Sequence, residues 1–121
     1  MNKIKLFLII LFSQFLNSQS IIGAWEKYET NSDGSTHRHV VIFSEGFKST
    51  SVFDSSNGKF ISTNGGSWFL DGSTLTEKIE FDTQDQEKVG STIRFELDIK
   101  ENTVTNIDSR KTWNRIDNGS P

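Results

Sequence analysis

The stretch "GGSWFLDGSTLTEKIEF", residues 65–81, decides how the rest of the chain is read. Asp71-Gly72 is a two-residue turn signal, because hairpin turns of that length need positive φ. After it, Leu75, Ile79 and Phe81 alternate with Thr74, Thr76, Lys78 and Glu80. A period of two marks a strand with one buried and one wet face. Glu77 breaks the pattern, because it falls on the apolar face.

Working outward, the same punctuation recurs. Asp33-Gly34 and Asn57-Gly58 are further turn signals, and Glu45-Gly46, Glu101-Asn102 and Asp108-Ser109 are weaker versions. The polar run Thr83 to Lys88 reads as a longer surface loop. Between these breaks lie eight segments rich in Val, Ile, Phe, Trp and Thr, near 22–30, 37–44, 47–54, 59–70, 73–82, 89–100, 103–107 and 110–117. In the sixth, Ile93, Phe95, Leu97 and Ile99 oppose Thr92, Arg94, Glu96 and Asp98. "HVVIF" in the second is apolar on both faces. No segment beyond residue 20 has a helical period, and the one proline is Pro121.

Eight short strands joined by tight turns fit an all-β fold wrapped round one core. A Greek-key sandwich needs long cross-connections, and none is available here. An up-and-down antiparallel β-barrel, with strand eight paired to strand one, fits better, and closure removes exposed sheet edges.

The first twenty residues are read apart. Lys3 and Lys5 precede an apolar run, Leu6 to Leu16, and Ser18 and Ser20 follow at positions a signal peptidase reads. That is the pattern of a secretory signal peptide, residues 1–20, with cleavage near Ser20. The run is too short to span about 30 Å of hydrocarbon. The expectation is export to the periplasm or beyond, with residues 21–121 forming a single barrel domain and no stable membrane insertion of the mature chain. The chain has no cysteine, so no disulfide supports the fold. Its formal charge of −3 becomes more negative once Lys3 and Lys5 are removed. An acidic chain with no basic run is a poor partner for nucleic acid, where phosphate neutralisation dominates affinity.

Two further patterns carry a resemblance. Gly23-Ala24-Trp25 opens the first strand as G-x-W, and Trp113-Asn114-Arg115 closes the last as W-x-R. Together they resemble lipocalins, which implies that Arg115 packs across Trp25 at the closed end of the barrel. The quoted stretch, through Gly65, Gly66, Trp68, Leu70, Gly72, Leu75, Thr76, Glu77, Ile79, Glu80 and Phe81, resembles small secreted lipocalin-like bacterial proteins of the calycin type. Leu75 stands where that pattern has an aromatic. The resemblance implies a fold and an interior; it implies no reaction.

If Leu75, Ile79 and Phe81 point inward, so does Glu77. A carboxylate taken out of water costs several kcal/mol unless paired. Three resolutions are open: a neutral carboxyl, an internal partner such as Arg115, Lys27 or Thr63, or a place at the wet mouth. The expected ligand-contact set is Trp68, Glu77, Ile79 and Phe95, with Glu77 orienting the polar end of an apolar or amphipathic small molecule. Gly23, Trp25, Trp113 and Arg115 are expected to close the barrel. The alternative is a filled barrel serving as an exported structural or protein-interaction module, since eight strands leave room for little more than their own side chains. A barrel enzyme using Glu77 as general acid/base needs a second group in reach. Glu77 and Glu80 fall on opposite faces and cannot form that pair. No nucleophile motif and no phosphate loop is present. His37 and His39 share one strand face, but no third ligand is evident, so they read as exposed strand-end residues rather than a metal site. No cofactor is implied.

Overall fold

The computed structural model describes residues 21–117; the signal peptide expected over residues 1–20, with its cleavage point, lies outside them. The strands are β1 (Gly23–Thr30), β2 (Thr36–Ser44), β3 (Phe47–Asp54), β4 (Phe60–Asp71), β5 (Thr74–Lys78), β6 (Phe81–Asp82), β7 (Thr92–Ile99), β8 (Thr103–Asn106) and β9 (Lys111–Arg115). Each long strand pairs antiparallel with the next in the chain, β5 with β7, and β9 returns to β1. The result is a closed eight-stranded up-and-down β-barrel, with the two-residue β6 as an extra piece against β4. The three strong turn signals fall in the connections β1–β2, β3–β4 and β4–β5. Among the described residues no helix is long and apolar enough to cross a membrane.

One expected strand, 73–82, is two. The Ile79 amide donates to the Ser91 carbonyl, whereas the Glu80 amide donates to the Gly65 carbonyl on the other side. The chain therefore changes neighbours between these residues, and its face parity slips. Asp82 pairs with Asn64, and both line the interior. Phe81 pairs with Gly65 on the opposite face, so it does not point inward as its spacing suggests. Gly65 and Gly66 permit this crossing. A Cβ on Gly65 would run into the Lys48 carbonyl and the Phe81 ring; one on Gly66 would run into the Lys78 carbonyl. A glycine inside a strand commonly marks such a close backbone approach. The loop at 83–88 is as expected, with a single 3₁₀ turn at Gln86–Lys88 whose start is capped by the Asp85 side chain.

The core fills one end only. Ile21, Trp25, Val41, Phe43, Leu75, Leu97 and Val104 form a buried cluster. Along the inward face of β7, exposure rises from 7% at Leu97 to 36% at Ile93. The "HVVIF" ambiguity resolves with Val41 and Phe43 buried and Ile42 half exposed outside. At the filled end the Arg115 guanidinium lies 4.1 Å from the Trp25 ring centroid, a cation–π contact of about 0.5–2 kcal/mol. The Trp25 indole donates to the Ile21 carbonyl at 2.9 Å. Gly23, at φ 138°, leaves room for this arrangement. A Cβ there would stand 2.6 Å from the Arg115 guanidinium and 2.5 Å from the Asp117 carboxylate.

Candidate functional site

Glu77 is the fourth of the five residues of β5, between Trp68 of β4 and Ile93 of β7 in register. It is 1% exposed. Its partner comes from across the interior: Lys48 Nζ, from the second residue of β3, donates to Glu77 Oε2 at 2.6 Å. None of the expected partners takes that role. Arg115 is on Trp25, Lys27 pairs with Glu29, and the Thr63 hydroxyl donates to the Thr50 carbonyl. The other oxygen, Oε1, is buried without a hydrogen bond. Lys48 Nζ stands 5.7 Å and 5.8 Å from the ring centroids of Phe43 and Phe95. An ion pair is thus held among aromatic rings, where desolvation can outweigh the Coulombic attraction.

The pair lies on the wall of an open cavity of about 450 Å³ whose lining includes the partly exposed Ile93. That volume falls in the range of small-molecule sites, about 300–1,000 Å³. The barrel is therefore not filled by its own side chains. The apolar wall comes from Val41, Phe43, Leu75, Ile79, Phe95 and Leu97; Thr50, Asn64, Asp82 and Ser91 add polar atoms. Of the expected contact set, the cavity brings together Glu77, Ile79 and Phe95. Trp68 stands apart from the wall. Its indole donates to the Ser44 carbonyl at 2.9 Å, and its ring meets Phe43 edge-on at 5.2 Å between centroids. It therefore supports Phe43 from behind. Trp25 and Trp113 both line the cavity, so Trp113 is wall as much as closure.

Nearer the mouth is a second charged group. Glu29 meets Lys27 at 3.0 Å, His39 at 3.3 Å and Lys111. The Lys111 hydrogen bond, then that of Lys27, lowers the Glu29 carboxyl to about 2. Lys27 Nζ also lies 4.9 Å from the Trp113 ring centroid. His39 is not the exposed strand-end residue its position suggests. It lines the cavity edge-on to Trp113, and burial, then the charge of Lys27, pushes its proton affinity down. His37 is set on the same face, in register with Glu29 and Asp54. Among the described residues no three or more His, Cys, Asp or Glu side chains cluster so as to hold a metal.

The sequence reading missed Lys48, His39, Asn64 and Asp82. A signal existed for Lys48, because it precedes Thr50 at the strand period. β3 nevertheless has no continuous apolar face from which to choose inside from outside. Asp82 had none, since the slip at Ile79–Glu80 inverts its parity. Compared with protein families, curated proteins and solved structures, the chain matches none.

Proposed function

We propose that this barrel is an exported, lipocalin-like carrier that binds a small apolar or amphipathic molecule without transforming it. One observation carries the reading: a buried, incompletely satisfied Lys48–Glu77 pair on the wall of an open, mainly apolar cavity. Replacing a buried ion pair by apolar residues of similar volume is often neutral or stabilising. Retaining one here therefore favours a binding role over a stabilising one, and an apolar pocket with a few fixed polar groups is the usual small-ligand design. Trp25 and Trp113 on the wall supply the readout. Titration with aromatic amphiphiles should change tryptophan fluorescence and saturate, and Glu77→Gln should weaken binding of uncharged ones. Binding unchanged in that variant, or none by the wild type, counts against the reading.

A further inference from the structure

The two partners of the buried pair do not face a guest equally. Glu77 keeps 1% of its side-chain surface, Lys48 12%. Both border the cavity, and the lysine side chain is the more exposed of the two. The bond to Glu77 uses one of three N–H donors on the ammonium. Two remain for whatever enters. The polar end of a guest must therefore accept hydrogen bonds.

Charge then narrows the choice. Lys48 is already neutralised by Glu77 at 2.6 Å. A guest carboxylate at Lys48 would leave a net negative charge at the pair, among Phe43, Phe95 and Leu75. Of the other charged groups on the lining, Asp82 adds to that charge, Lys27 is paired with Glu29, and Lys88 lies on the exposed 3₁₀ turn. A guest ammonium would meet the exposed face of Lys48, like charge against like. Both are costly where water is scarce. A neutral acceptor avoids both penalties and gains a hydrogen bond to a charged donor, which is among the stronger kinds.

We infer that the guest is an uncharged molecule with an apolar body and a hydrogen-bond-accepting end, of which a carbonyl is the simplest form, and that Glu77 sets this preference by cancelling the charge of Lys48. The inference rests on the cavity reading given above and deepens it. Glu77 here is a positioning residue, acting on the guest through Lys48.

Four probes of closely similar shape test it in the full-length mature protein by calorimetry: 4-phenylbutan-2-one, 3-phenylpropanoate, 3-phenylpropylamine and 3-methylbutylbenzene. The ketone should bind about ten-fold or more tighter than each of the others, the size of one hydrogen bond to a charged donor. In Glu77→Gln the ammonium is no longer balanced, so 3-phenylpropanoate should become the tightest probe. A gain of that kind cannot come from unfolding. In the double variant Lys48→Met/Glu77→Leu no donor of the pair remains, and the ketone should bind no better than 3-methylbutylbenzene. Wild-type protein that takes the acid or the amine as tightly as the ketone overturns the inference, as does an unchanged order in Glu77→Gln. Equal binding of ketone and hydrocarbon also overturns it while leaving the cavity reading in place. If no probe binds, the cavity reading falls as well.

Discussion

Glu29 and Glu77 occupy equivalent faces of the barrel wall and have opposite circumstances. Glu29, 32% exposed, collects Lys27 from its own strand, His39 from β2 and Lys111 from β9. Glu77, buried, has Lys48 alone and one oxygen with nothing. Redundant partners in water make Glu29 tolerant of change, because each exposed pair contributes little. A single partner away from water makes Glu77 all or nothing. Glu29 is held by many weak ties, and the buried wall by one that is hard to replace.

Lys48→Met should break that contrast most visibly. Removing one member of a buried pair leaves an uncompensated charge and costs about 3–5 kcal/mol, measured by urea unfolding. Lys48→Met/Glu77→Leu should recover most of the loss. A single-variant cost below about 1 kcal/mol would put Glu77 in the same class as Glu29.

Glu29→Gln sits at the other extreme, with an expected cost at neutral pH well below that of Lys48→Met, because solvent screens its pairs. Its trace appears on the acid side. The folded Glu29 carboxyl is depressed to about 2 from 4.5, so its contribution is complete above pH 4.5 and disappears as pH falls toward 2. Glu29→Gln should flatten that limb of the stability curve. His39 acts at milder acidity with the same sign. Its proton affinity is lowered in the fold, so the unfolded chain takes the proton first and stability declines as pH falls below 6.5. Melting temperature against pH, in wild type and in Glu29→Gln, separates the two.

Much of the architecture could be read from residue types, because turns and alternation are local. Asp71-Gly72, the β7 face and the glycine pair all report their own backbone geometry. Glu77 was legible as an inward acid for the same reason. Its partner was not, since Lys48 lies on a strand whose inward face borders empty space and so carries no apolar signature. Burial patterns mark a packed core; a wall facing a cavity can be Thr50, Asn64 or Lys48 without penalty, and the pattern falls silent there. Likewise the inward turn of Asp82 depends on how β4 passes beneath the glycine crossing, a long-range fact that no window of sequence contains.

The ring itself closes unevenly. β1 meets β2 through eight register pairs but meets β9 through two, Trp25 with Arg115 and Glu26 with Asn114. Those partners come from the two ends of the described chain, so their encounter carries the greatest loop-closure entropy and belongs late in folding. Hydrogen exchange should show it: the Ile116 amide, bonded to the Ala24 carbonyl at 2.9 Å, should exchange before the amides of β2. Arg115 compensates for the short seam. From β9 it reaches over the Trp25 ring and donates to the Ile22 carbonyl at 3.2 Å, so one side chain clasps the two ends of the described chain together. The barrel is a belt with a buckle, and its first opening, when it unfolds, is expected there.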